Sequence, residues 1–170
     1  MKLHKGLLSA LLCLSLSVTA AGPVLAAEPA GEENDIVILH TNDVHCGIEE
    51  GLTYAGVAAY AREMEGQYGE NRVTLVDAGD AVQGGPIGTL TRGEYLVDIM
   101  NQMGYDLFTP GNHEFDYQIP RLLELTELLD ARTISSNFVD LSTGESVFEP
   151  YTILDYGDVQ VGYVGITTPE

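Results

Sequence analysis

The sequence is short of positive charge. Against 26 Asp and Glu it carries 7 Lys and Arg, a formal net charge of -19 at pH 7, and no lysine follows Lys5. Phosphate backbones and anionic membrane surfaces repel such a chain, which excludes nucleic-acid polymers and acidic lipid as general partners. Any anionic ligand needs a local source of positive charge. Tryptophan is absent, histidine does not occur after His113, and cysteine occurs only at Cys13 and Cys46. Long apolar runs are lacking too, because Leu7 to Ala20 is short for spanning a bilayer. What remains, 170 residues with 19 glycines and 45 % apolar content, is the make-up of one globular domain and not of a disordered or multi-span chain.

Lys2 and Lys5 precede that apolar run, and Pro23 and the small-residue pattern Val24-Leu25-Ala26 follow it. This is the pattern of a secretory signal peptide over residues 1–26, with cleavage expected after Ala26. The expectation is an exported chain, periplasmic, cell-surface or secreted, with no membrane span once mature. Cleavage removes Cys13 and both lysines, so the formal charge moves from -19 to -21. Only Cys46 is then left, no internal disulfide is possible, and the core or a metal must hold the fold. Residues 27–35, with Glu32, Glu33 and Asp35, read as an acidic linker, and the fold proper is expected over 36–170.

From Asp35 onward a short apolar run, a Gly-rich polar loop and a helically spaced segment alternate, which is a βαβ rhythm. Ile36 to Leu39 reads as a strand buried on both faces and leads into His40 to His45. Val57, Tyr60, Met64 and Tyr68 follow at helical spacing, with a stop at Gly69. The cycle repeats with strand Val73 to Val76, the loop Asp77 to Pro86, and an amphipathic helix Tyr95 to Met103 ended by Gly104. A third strand is predicted over Asp106 to Thr109. Pro120 suits the first turn of a helix whose buried stripe is Leu122, Leu125 and Leu129, and Ile134 is predicted to begin a fourth strand. Beyond it, Val147-Phe148, Tyr151 to Asp155 and Val159 to Thr167 read as strands parted by the turn pairs Thr143-Gly144 and Gly157-Asp158.

Each of the three Gly-rich loops carries groups able to bind a hard or borderline metal ion: Asp43 with His45, Asp80 after a glycine, and Asn112 with His113 after another. Taken singly, Gly79-Asp80 and Asn112 read as turn residues and His113 as a hydrogen-bonded histidine. All three loops fall at the carboxyl ends of strands, where open α/β sheets gather ligands. Converging oxygen and imidazole groups suit Mn, Fe, Co, Ni or Zn. Asp116, three residues after His113, is placed to orient that imidazole and favour its protonated form. His40 and Asp77 read as structural, Cys46 as a partly buried thiol, and Glu114 as contributing at most a supporting hydrogen bond.

The segments Leu39-His40-Thr41-Asn42-Asp43-Val44-His45, Asp77-Ala78-Gly79-Asp80 and Gly111-Asn112-His113-Glu114-Phe115-Asp116 resemble the ordered motifs of the calcineurin-like metallophosphoesterases. Within that superfamily they are similar to the exported 5'-nucleotidase branch, over Asp35 to Glu170. The resemblance implies an α/β fold, the amino-terminal half of a four-layer α/β/β/α sandwich in which βαβ units are followed by β-hairpins. It implies two divalent ions, Asp43 and His45 holding one, Asp80 bridging both and Asn112 holding the second. Such ions polarise a phosphoryl group and activate water for in-line attack. His113 would be no ligand but a donor to the phosphoryl group or leaving oxygen, its ring fixed by Asp116. The implied substrate is a small phosphate ester, a nucleotide converted to its nucleoside, and the two cations would supply the positive charge that the chain otherwise lacks.

The family's catalytic domain continues past this length with a further histidine and a Gly-His-x-His motif, followed by a nucleotide-binding domain. Here only Asp80 and Asn112 remain for the second ion. The expectation is therefore the amino-terminal part of a longer enzyme, inactive or nearly so by itself. Alternatives are a UDP-sugar hydrolase, a 2',3'-cyclic-nucleotide phosphodiesterase or a sulfur-ester hydrolase of the same branch, or a non-catalytic metal- or partner-binding remnant.

Overall fold

In the computed structural model, residues 35–48 and 51–168 are described. The signal peptide expected over 1–26 and residues 27–34 of the acidic linker lie outside the described residues. Two units of β-structure organise the rest. Strands β1 (Val37–Thr41), β2 (Val73–Asp77), β3 (Leu107–Phe108) and β4 (Arg132–Thr133) form a parallel sheet in the order β1-β2-β3-β4. Val37 pairs with Val73 and Thr41 with Asp77, while Asp77 also pairs with Phe108, and Phe108 with Thr133. Parallel neighbours need crossovers, and helices α1 (Tyr54–Tyr68), α2 (Pro86–Thr91), α3 (Glu94–Met103) and α4 (Ile119–Leu128) supply them. Strands β5 (Tyr151–Asp155) and β6 (Gln160–Val164) follow as an antiparallel hairpin.

Local chemistry sets most element ends. The Thr53 side chain accepts the Gly56 N–H at 3.2 Å to start α1, and the Gly69 N–H closes it on Glu65. Gly104, at φ 79°, ends α3 in the left-handed conformation that favours glycine, and Pro120 sits in the first turn of α4. Leu96, Val97 and Met100 of α3 and Leu125 of α4 meet Leu75, Val82 and Phe108, so the core lies between the sheet and its helices, and Leu122 of α4 is buried too. Full burial of a side chain such as Leu96 contributes about 2 kcal/mol.

Four expectations change in detail, one being that Val147-Phe148, read as a strand, forms a bend between isolated bridges at Ser146 and Glu149. Helix α1 buries Tyr54, Ala58, Ala61 and Met64, whereas Tyr60 is 47 % exposed; the small alanines form the face that meets the sheet. Strand β1 is not covered on both faces: among the described residues Ile38, 47 % exposed, and His40 share an open face, while Val37, Leu39 and Thr41 on the other are partly buried. Ile134 does not open β4 but follows it, forming an isolated parallel bridge to Glu149. The hairpin is tied to the sheet by a 2.5 Å Thr74–Tyr156 hydroxyl bond and by Arg132 to Thr152, while Tyr151, Ile153 and Val164 stay exposed. Among the described residues, no helix is long and apolar enough to cross a membrane.

Candidate metal centre

The loops after β1, β2 and β3 extend the sheet's pairing beyond its strands. Ala78 N–H donates to Thr41 C=O at 2.8 Å, Asp43 N–H to Gly79 C=O at 2.9 Å, His45 N–H to Asp80 C=O at 2.8 Å and Cys46 N–H to Ala81 C=O at 3.1 Å. The third loop approaches the second too closely for side chains between them. A Cβ on Gly79 would stand 2.2 Å from Gly111 N, and one on Gly111 would stand 2.3 Å from Asp80 Oδ1. Both glycines are therefore required by contact, and Gly79 also by its φ of 100°.

These loops hold unusual backbone. Of the six non-glycine residues at positive φ among those described, four are Asp43, His45, Cys46 and Asp80, at 53°, 47°, 60° and 59°. Each such residue costs on the order of 1 kcal/mol and persists only where its surroundings over-determine it. Here the interloop bonds do so, and they fix where the Asp and His side chains leave the backbone.

The result is a cluster in which His45, Asp80 and His113 each offer a ligand atom within 4.8 Å of the others. The two imidazoles meet edge to face, with centroids 4.9 Å apart. His45 Nδ1 lies 3.1 Å from the Gln83 carbonyl oxygen, which can only accept, so Nδ1–H donates and Nε2 is the lone-pair nitrogen of the neutral ring. His113 Nδ1 lies 3.0 Å from Asp116 Oδ2, which fixes the ring and assigns any ligand or acceptor role to Nε2. Asp80 Oδ1 accepts the His113 N–H at 2.8 Å. Two nitrogens and a carboxylate, with both imidazoles oriented through their other nitrogen, fit a divalent borderline ion.

The remaining candidates stand around this cluster. Asp43 is exposed, accepts a 2.5 Å bond from Asn42 Nδ2, and is not one of the three clustered residues. Asn112 precedes the 3-10 turn His113–Phe115 and, with Asp116, Phe115 and Phe138, lines a cavity of about 390 Å³. His113, which the motif resemblance sets outside the ligand set, is brought by the fold within ligating distance of His45 and Asp80.

Sequence reading undervalued Glu114. Its side chain is 1 % exposed and its carboxylate accepts four backbone N–H bonds: Asp80 and Gly111 at 2.7 Å, Ala81 at 2.8 Å and Val82 at 3.2 Å. Burial pushes its carboxyl up from the ordinary value, and the four donors oppose that push. The available signal was an acid within a motif that holds neither Lys nor Arg and whose one imidazole pairs with Asp116. Asp77, also buried, accepts from Thr41 Oγ1 at 2.5 Å and Gly79 N at 2.9 Å, while Thr41 Oγ1 lies 2.7 Å from Tyr105 OH. Burial pushes Asp77 up to about 7.

A parallel α/β sheet with nitrogen and oxygen donors gathered at its strands' carboxyl ends defines the class: an α/β domain with a candidate divalent-metal site. Comparison with known proteins makes it particular. The model of the calcineurin-like phosphoesterase family matches residues 36–168, and the chain belongs to that family. It is 34 % identical over 173 residues to a 5'-nucleotidase of Bos taurus, covering 92 % of this chain and 30 % of that protein. It is 33 % identical over 175 residues to a 5'-nucleotidase of Vibrio cholerae, covering 98 % and 31 %. The solved structure of the Haemophilus influenzae NAD nucleotidase superposes with a TM-score of 0.69 at 28 % identity, covering 78 % of this chain and 26 % of that one. The chain thus spans between about a quarter and a third of the length of these relatives.

Proposed function

We propose that this chain is the amino-terminal part of an exported, metal-dependent hydrolase of phosphate esters, acting on nucleotides to release nucleosides. The observation that carries the reading is the His45–Asp80–His113 cluster, within 4.8 Å, in a member of the phosphoesterase family. In this reading Asp43 and His45 would hold one ion, Asp80 would serve both, and Asn112 the second. Divalent ions supply Lewis acidity toward a phosphoryl oxygen and acidify water. His113 would donate toward the phosphoryl or leaving oxygen, and Asp116, accepting from Nδ1, would hold the ring in place. Export fits a chain whose relatives include a venom enzyme. A second reading, that His113 is a third ligand of one ion, draws on its place in the cluster.

Calorimetric titration with Mn²⁺ tests the site, and phosphate release from AMP tests the activity. Uptake of Mn²⁺ with turnover near background is expected, because Asp80 and Asn112 alone are assigned to the second ion. A folded chain that takes up no Mn²⁺ refutes the metal site. Robust turnover by these 170 residues refutes the incompleteness of the second site.

A further inference from the structure

We propose that Glu114 is the positioning residue of the metal centre: its buried carboxylate fastens the Asp80 loop to the Gly111–His113 loop and thereby sets Asp80 against His45 and His113. The inference rests on the metal-site reading above. Its geometric part, the fastening of two loops by one carboxylate, stands independently of any ion.

Oε2 accepts from Asp80 N and Gly111 N, both at 2.7 Å, one on each loop, and so ties the loops directly. Oε1 accepts from Ala81 N at 2.8 Å and Val82 N at 3.2 Å, continuing along the Asp80 loop. Charge-assisted bonds of this kind are roughly twice as strong as neutral ones. They hold Asp80 at its φ of 59°, a conformation that needs external support. Two further bonds carry that placement to the histidines. Asp80 C=O accepts the His45 N–H at 2.8 Å, and Asp80 Oδ1 accepts the His113 N–H at 2.8 Å. Every clustered residue is thus one hydrogen bond or less from a backbone segment that Glu114 holds.

The chemistry requires a carboxylate. Glutamine has the same length but one acceptor oxygen, so its amide nitrogen would face either Asp80 and Gly111 or Ala81 and Val82, donor against donor. Two buried N–H groups would then lose their partner. Aspartate keeps both oxygens but is one methylene shorter, so it spans the two loops incompletely.

The test uses the whole chain with E114Q, E114D and, as a stability control that makes no hydrogen bond to the loops, Leu96→Ala in the fully buried core of α3. Mn²⁺ affinity is read by calorimetry, and amide exchange at Asp80, Ala81, Val82 and Gly111 is read by NMR in EDTA. Loss of a supporting partner costs about tenfold or more in metal affinity, and E114Q is expected to show that loss. At least one pair of its four amides, Asp80 with Gly111 or Ala81 with Val82, loses protection while Leu75, in β2, keeps its own. Leu96→Ala lowers the melting temperature yet keeps Mn²⁺ affinity, and E114D restores part of what E114Q loses. Mn²⁺ affinity in E114Q equal to that of Leu96→Ala overturns the positioning role, as does unchanged protection of the four amides. If wild type takes up no Mn²⁺, the metal reading falls, and amide exchange in E114Q and E114D still judges the fastening by the same criterion.

Discussion

Asp77→Asn should make the chain more stable at alkaline pH. Asp77 is 2 % exposed at the end of β2, and burial is the leading cause that pushes its carboxyl from 3.8 up to about 7. The Thr41 and Gly79 bonds oppose that push, and the nearby Glu114 and Asp80 charges add to it. The native state therefore holds this proton more tightly than the unfolded chain does. Stability from this group is greatest below about pH 4 and declines as pH rises, and the decline is complete above about 7. A shift of about three units corresponds to about 4 kcal/mol, an order-of-magnitude ceiling at pH 8. Asparagine keeps the hydrogen bonds: its oxygen accepts from Gly79 N, and its NH₂ donates to Thr41 Oγ1, which can donate to Tyr105 OH. Urea unfolding in EDTA, followed by circular dichroism from pH 4 to 8, compares variant with wild type. The two should be similar near pH 4, with the variant's advantage growing toward pH 7 and then flat. A difference that does not change with pH, or a variant less stable at pH 8, would refute the assignment of a buried proton to Asp77.

Gly111→Ala should abolish Mn²⁺ uptake and leave the circular dichroism of the sheet and helices intact, because the new Cβ would fall 2.3 Å from Asp80 Oδ1 and 2.8 Å from Asp80 N; unchanged uptake would show that the loops can separate. Asp80→Asn should remove Mn²⁺ binding by calorimetry, since the variant loses the cluster's only carboxylate while its side-chain oxygen can still accept from His113 N. His113→Ala should retain Mn²⁺ and, wherever turnover is measurable, lower it about a hundredfold. Loss of Mn²⁺ in that variant would instead make His113 a ligand. Mn²⁺ at a hundred times its dissociation constant should stabilise wild type by about 2.7 kcal/mol, reversed by EDTA; no shift in the melting temperature counts against the site.

Local pattern made much of the fold legible. The β1 and β2 runs, the ends of α1 and α3 at Gly69 and Gly104, and Pro120 in the first turn of α4 follow from residues within a few positions of one another. The hairpin β5–β6 turns at the expected Gly157-Asp158. Which face of a helix is buried was less legible: both the aromatic stripe through Tyr60 and the alanines one residue on have helical spacing, and only the sheet selects between them. The exposure of Ile38 likewise depends on which face of β1 other elements pack against, which local pattern does not state.

The same division runs through the site. By itself the sequence determined that acidic and imidazole groups would follow three strands, because strand, loop and motif are contiguous in the chain. It also determined the pairing of His113 with Asp116, three residues apart. Only the tertiary structure decided that His45, Asp80 and His113 share one cluster, and that Glu114 is a fastening and not a bystander. Its partners at Asp80, Ala81 and Val82 lie 34, 33 and 32 residues away. They are backbone N–H groups, which every residue but proline possesses, so no residue type announces them. A contact made through the main chain across that separation exists only once β2 and β3 are paired and their loops are pressed together.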